Sequence, residues 1–133
     1  MRAIPLGVTG SYALTVAPEH LASRFKDAIL PPVLATPIMI LMMENAALNA
    51  IRAYLEPGES AVGSAISVRH LAATPTGHSV TATAEVIGVA GRRIEFAVSA
   101  RDEVEVIGEG THERAVIDVR RLMQRLEGKA KPR

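Results

Sequence analysis

Apolar and polar positions alternate through most of the second half of the chain, whereas one long, almost unbroken apolar stretch dominates the first half. Tyr12, Leu14 and Val16 alternate with small or polar residues over Gly10–Val16, which predicts a first strand. Later, Ala61–Ala72 alternates with Val62, Ile66 and Val68 on one face. Ser79–Val89 does so through Val80, Ala82, Ala84 and Val86, and Arg92–Val104 through Ile94, Phe96, Val98 and Ala100. A fourth run, Glu105–Val119, is punctuated by Gly108 and Gly110. Turn signals at Pro75-Thr76-Gly77, Ala90-Gly91 and Asp102-Glu103 predict three successive antiparallel connections, and so a meander.

The apolar stretch predicts a helix. Thr36 suits the N-cap and Pro37 the first helical position, where a missing N–H costs nothing. The pattern runs to Leu55, before Glu56-Pro57-Gly58, and about twenty residues at 1.5 Å each make roughly 30 Å of helix. Asn45, Asn49 and Arg52 cover one flank, so most of the remaining surface must be buried against something broad. Between the first strand and this helix, Ala17–Ala35 reads as a loop with at most a turn of helix. Pro18, Asp27, Pro31 and Pro32 interrupt it, and loops of such length usually carry function. Val119, Leu122, Met123 and Leu126 suit a short C-terminal amphipathic helix, followed by the basic tail Gly128–Arg133. The expected architecture is α+β: a single domain over residues 1–133, with its core at about 10–118, in which an antiparallel sheet wraps one long helix.

Composition narrows the function classes. At 48% hydrophobic and 22% charged residues, the chain can bury a continuous core and does not read as disordered. A formal net charge of +1 gives no bulk reason to expect a nucleic-acid or membrane partner. The absence of cysteine excludes disulfides and zinc–thiolate sites. The N-terminus lacks the apolar run of a signal peptide, and Ile38–Met43 is too short to span a bilayer, so a soluble cytoplasmic protein is expected.

Glu44 stands out within the apolar stretch. At about 100° per residue it falls in line with Ile40, Leu48, Ile51 and Leu55, where a carboxylate is costly without a partner or a task. It reads either as a structural acid reaching an arginine or backbone N–H groups, or as a carboxylate that acts as, or orients, a general base. His70 shares alternation parity with Val62, Ser64, Ile66 and Val68, so it should face the same layer. A Glu–His pair holds one ring tautomer and makes the other nitrogen a better base for a hydroxyl or water. Thr36 supplies a hydroxyl at the helix N-terminus, where free N–H groups could stabilise an oxyanion. Eight residues of helix is roughly 12 Å, so Thr36 and Glu44 of one straight helix cannot touch one small reacting centre. Either the chain bends at Pro37 or one group comes from a neighbouring subunit.

His20 and His78 lie in or beside loops. His112 follows Gly108 and Gly110 on one strand face, which leaves space for a ligand or a close helix. No phosphate-binding glycine loop or metal-ligand spacing is present. Arg69, Arg92, Arg93 and the C-terminal basic residues could meet an anionic group, though a solvated face is the simpler reading.

The order of strand, long helix and further strands resembles the hotdog-fold acyl-CoA thioesterases. Thr36, Glu44 and His70, eight and twenty-six residues apart, resemble the catalytic triad of the fluoroacetyl-CoA thioesterase type. Further matching strings are Ser67-Val-Arg-His-Leu-Ala-Ala-Thr-Pro-Thr-Gly77, Gly91-Arg-Arg-Ile-Glu-Phe96 and Gly108-Glu-Gly-Thr-His-Glu-Arg114. The resemblance implies a thioester hydrolase acting on acyl-CoA, with coenzyme A as part of the substrate rather than a cofactor. It implies a homodimer, or a tetramer built from it, whose subunits join side by side into one sheet with active sites at the interface. Thr36 would attack or position, His70 act as base and Glu44 orient the imidazole. Gly63 would line the acyl pocket, Phe25 would stand in the lid before the helix, and Arg69 would meet substrate. The same fold also serves non-catalytic acyl-CoA binding and dehydration of hydroxyacyl thioesters.

Overall fold

The computed structural model describes residues 1–131. Its elements run β1 (Thr9–Thr15), a short α1 (Ala22–Phe25), α2 (Thr36–Ile51), β2 (Glu59–His70), β3 (Ser79–Ala90), β4 (Arg93–Arg101), β5 (Val106–Asp118) and α3 (Val119–Ala130). The expected α+β plan of a sheet wrapped on one helix is thus present. The five strands form one antiparallel sheet in the order β1-β3-β4-β5-β2.

This order corrects the expected meander. The strands β3, β4 and β5 do follow one another as hairpins, but β2 pairs with β5 at the far edge and has no ladder with β3. Pro75-Thr76-Gly77 therefore belongs to a crossover, residues 71–78, that carries the chain past β5 and β4. A turn signal specifies a local change of direction, here with Gly77 at φ 94°, and says nothing of which strand is entered next. The crossover is anchored at Thr74, whose hydroxyl donates to Asp102 Oδ2 (2.9 Å) and whose carbonyl accepts from Leu34 N–H (2.9 Å). Asp102 also shapes the β4–β5 turn, its other carboxylate oxygen accepting from the Val104 and Glu105 amides at 2.8 and 2.9 Å.

Alternation in β3 and β4 is as expected: Val80, Ala82, Ala84, Val86, Ile94, Phe96, Val98 and Ala100 are all buried. The phase of α2 is not. Its buried residues are Met39, Met42, Met43, Ala46, Ala47, Ala50 and Ile51, whereas Ile40, Glu44 and Leu48 lie half-buried at its flank. Apolar residues surround most of this helix, so periodicity alone does not single out the face that the sheet covers. The sheet chose the alanine side, where backbones approach closely. A Cβ on Gly10 would stand 2.7 Å from Ala50 Cα, and one on Gly108 2.8 Å from Met39 Cε. The space left by Gly108 is thus filled by the helix, one of the two occupants expected for it.

In β2 a bulge between Gly63 and Ala65 reverses the alternation. Residues opposite one another in the ladder share a face, so Ala61 and Gly63 lie on the helix side with Val116 and Arg114. Past the bulge, Ile66, Val68 and His70 lie there with His112, Gly110 and Gly108. Val62, expected to share the face of His70, is on the opposite side. Both Val62 and Ile66 are 40% exposed, and among the described residues no strand lies beyond β2 at this edge.

The expected C-terminal helix forms, capped by Asp118, which accepts from the Arg121 amide at 2.9 Å. None of its residues is buried, and Val119, Met123 and Leu126 are exposed. Pro132 and Arg133 of the basic tail lie outside the described residues.

Candidate functional site

Thr36 opens α2 without capping it. Ala35 is the N-cap and Pro37 occupies the second helical position, so the Thr36 side chain makes no cap bond. Its hydroxyl instead lies 2.7 Å from Nδ1 of His70, the last residue of β2. The helix end and the strand end meet because β2, at the edge of the curled sheet, runs back in the direction opposite to α2. The two residues line a groove of ≈ 370 Å³ walled by Ala22, Lys26, Leu30, Val33 and Leu71. The long loop before the helix therefore has a structural role, that of one wall of this groove. The groove's aliphatic and cationic lining was not legible in sequence, since those residues carry no pattern until the loop folds back.

Burial holds the His70 imidazole below the ordinary histidine value, with the Ala72 backbone partly opposing. The ring is thus neutral near pH 7 and can accept a proton. Its Nε2 is buried and has no hydrogen-bond partner among the described residues. The helix terminus offers fewer amides for an oxyanion than expected. Pro37 has none, and the Ile38 and Met39 N–H groups both donate to the Ala35 carbonyl, at 3.0 and 3.1 Å. From this turn, the Thr36 amide is what is left for that role.

Glu44 is not beside this pair. Helix α2 runs without a break from Thr36 to Ile51, which removes the option of a bend at Pro37. Glu44 lines a separate pocket of ≈ 200 Å³ with Gly63, Ser64, Ala65, Ile66 and His112, at the free edge of β2. Its carboxylate lies directly over Gly63: a Cβ there would be 2.7 Å from Glu44 Oε2 and 3.3 Å from His112 Cε1. Gly63 is thus a cradle for the acid.

His112 and Arg114 hold this second cluster together. A carbonyl can only accept, so His112 Nδ1, 2.8 Å from the Ala65 carbonyl, carries the proton. Its Nε2 then accepts from Arg114 Nη1 at 3.2 Å. Burial keeps His112 below the ordinary histidine value, against the opposing pull of Ala65 and of the nearby carboxylates. The ring stacks on Phe96, with centroids 5.8 Å apart. Arg114 is buried and also donates to the Ala61 carbonyl (2.6 Å) and the Glu44 carbonyl (3.2 Å). It thereby ties the middle of α2 to the edge strand. In the sequence His112 reads as a strand residue beside space left by glycines, and Arg114 carries no distinguishing feature of its own. The signal was the parity of Gly108, Gly110, His112 and Arg114, which puts two polar residues on a face otherwise built for packing.

Of the remaining expected site residues, Phe25 ends α1, is 52% exposed and does not line the Thr36–His70 groove. Arg69 is exposed and, as the neighbour of His70 on a strand, points to the opposite face. Among the described residues no group of histidines and carboxylates is arranged to hold a metal ion, and no helix is long and apolar enough to cross a membrane.

Comparison with known proteins places this geometry. Residues 16–120 match the model of the FlK family, described as fluoroacetyl-CoA-specific thioesterase. The fluoroacetyl-CoA thioesterase of Streptantibioticus cattleyicolor is 50% identical over 120 residues, covering 86% of each chain. A solved structure of the fluoroacetyl-CoA thioesterase FlK superposes with a TM-score of 0.91 at 40% identity, covering 98% of this chain and 99% of that one. A thioesterase superfamily member from Thermus thermophilus superposes at 0.89 with 33% identity and 97% coverage of both chains. A sheet of this topology on α2, with Thr36 and His70 in hydrogen-bond contact, and a family match across most of the chain lead to one assignment: the protein belongs to the FlK family of hotdog-fold thioesterases.

Proposed function

We propose that the protein is a cytoplasmic, homodimeric acyl-CoA thioesterase in which Thr36 and His70 of one subunit act with Glu44 of the other. The observation that carries this reading is the 2.7 Å contact between a hydroxyl free of capping duty and a neutral, half-buried imidazole. In that pair His70 takes the proton from the attacking oxygen, which the Thr36 hydroxyl supplies or holds in place. The oxygen adds to the thioester carbonyl, the C–S bond breaks, and the proton passes from the imidazole to the departing thiolate. Water completes the balance, and the products are a free acid and coenzyme A. The alternative of a binding protein without turnover has no use for such a pair.

The placement of Glu44 supports a second chain at the site. An imidazole that receives the Thr36 proton at Nδ1 gains from a nearby carboxylate. Glu44 is a carboxylate set at the free edge of β2, too far along an unbroken helix to serve its own Thr36. Antiparallel pairing of the β2 edges of two subunits extends the sheet. It also runs the His70 end of each strand toward the Gly63 region of its partner. The exposed Val62 and Ile66 side chains on that edge are the kind a paired strand covers.

Release of free thiol from a panel of short and aryl acyl-CoAs, with the parent and His70→Ala, tests the assignment. The parent should turn over at least one thioester and the variant should fall by a factor of about 10² or more. Equal rates in the two proteins, or no release by either, would overturn it.

A further inference from the structure

The Thr36–His70 groove accounts for the reacting end of an acyl-CoA but contains one cation, Lys26, for a ligand that carries a diphosphate and a 3′-phosphate. A groove elsewhere carries three arginines. Between the end of β5 and the start of α3 is a groove of ≈ 500 Å³ lined by Arg92, Arg121, Arg125, Val116, Ile117 and Leu122, with Asp118 at its rim. Both carboxylates near it are already engaged. Asp118 caps α3 through the Arg121 amide. Glu59 accepts from the Glu56 amide at 2.8 Å, from the N-terminal ammonium of Met1 at 3.0 Å and from Arg92 at 3.2 Å, and these bonds, that of Glu56 foremost, hold its carboxyl below the usual carboxylate range. Arg121 and Arg125 make no ion pair among the described residues. On α3 they stand four positions apart, on one helix face, so their guanidinium groups address the same volume. Charge of this kind beside a half-buried Leu122 and the aliphatic Ile117 suits a phosphorylated nucleoside, with a flat base for the apolar wall and phosphates for the forked donors.

Position along β2 links this groove to the active site of the other subunit. Arg92 is bonded to Glu59, the first residue of β2, whereas His70 is the last. Antiparallel pairing of two β2 edges that sets His70 against the partner's Gly63 region carries the partner's Glu59 end four residues, about 13 Å, beyond it. A linear substrate with its thioester at the partner's His70 would then extend along the seam toward Arg92, Arg121 and Arg125. We propose that the β5–α3 groove binds the phosphate groups of the coenzyme A moiety whose thioester is cleaved at the partner subunit's His70. The inference rests on the side-by-side dimer and on acyl-CoA as the substrate class. It adds the residues that recognise the nucleotide end.

Kinetics of the Arg121→Ala/Arg125→Ala double variant, with an acyl-CoA and with the matching acyl-pantetheine, test the proposal. Both residues are exposed and the cap uses the Arg121 backbone, so folding should be unaffected. KM for the acyl-CoA should rise roughly tenfold or more, at the level of a lost charge-assisted contact, with kcat within about twofold and acyl-pantetheine kinetics unchanged. An unchanged KM, or an equal loss on both substrates, would overturn the groove assignment while leaving the hydrolase assignment standing. Calorimetric titration with coenzyme A and with 3′-dephospho-coenzyme A reads the same groove even in a protein that turns nothing over. Weaker binding of coenzyme A by the variant supports the proposal, and equal affinity of parent and variant overturns it. Failure of the parent to release thiol from either substrate would count against the hydrolase assignment instead.

Discussion

At Gly63 one methyl group separates a cradle from a collision. A Cβ would stand 2.7 Å from Glu44 Oε2, and because the colliding group is the end of a flexible side chain, the carboxylate would swing aside rather than the strand unfold. Gly63→Ala should therefore lower kcat about tenfold or more through misplacement of the acid, with a Tm close to the parent's. A large fall in Tm with normal activity per folded molecule would refute this account. His70 and His112 make a different prediction. Burial lowers both pKa values, so in the folded state both stay neutral below the pH at which the unfolded chain begins to bind protons. The unfolded state thus takes up protons first as pH falls, and stability is complete above about 6.5 and declines below it. Thermal unfolding at pH 7.5 and 5.5 should show the drop, and His112→Gln should reduce it. Activity needs His70 neutral, so kcat/KM should fall on the acidic side as the imidazole takes up a proton. At this scale Thr36, Glu44 and His70 stood out in the sequence as polar residues in unlikely surroundings. That the Thr36 hydroxyl is free could not be read there, because a threonine before a proline fits both the N-cap and the first helical position.

The edge strand and the long helix depend on contacts that no local pattern encodes. Val62 and Ile66 are exposed on β2, and a charge at either position should block strand pairing. Ile66→Lys should sediment as a folded monomer with little thioesterase activity. An active monomer would remove the need for an interface site. Helix α2 should be sensitive at Gly10, where a Cβ would press on the backbone of Ala46 and Ala50. Neither backbone can move aside as a side chain could, so Gly10→Ala should cost about 1–3 kcal/mol in chemical denaturation. Strand existence was legible because alternation in β3 and β4 is strict. The bulge in β2 was not, since one extra residue changes which face follows without changing composition. It is that extra residue which brings Gly63 and His70, of opposite parity, onto one face.

For the molecule as a whole, the proposed division of the site between subunits predicts a consequence that a site within one chain lacks. His70→Ala and Glu44→Ala should each be inactive alone, whereas reassociated mixed dimers contain one site with both residues intact. Random reassortment of equal amounts makes half the dimers hybrid, so about a quarter of the parent activity should return. No recovery on unfolding and refolding the mixture would place all three residues in one chain.

The amino-acid sequence by itself determined the fold class, the approximate positions of the helix and strands and, through helix rise alone, the separation of Thr36 from Glu44. All of these follow from local periodicity and covalent spacing. Tertiary structure alone decided that β2 pairs with β5, that α2 turns its alanines inward, that Thr36 bonds His70, and that Glu44 sits with His112 and Arg114 at an open edge. Each of these is a choice among surfaces of similar polarity, made by which backbones can approach and which buried donors find acceptors. The glycines and the bulge register those constraints, but they can be read only once the partners are in place.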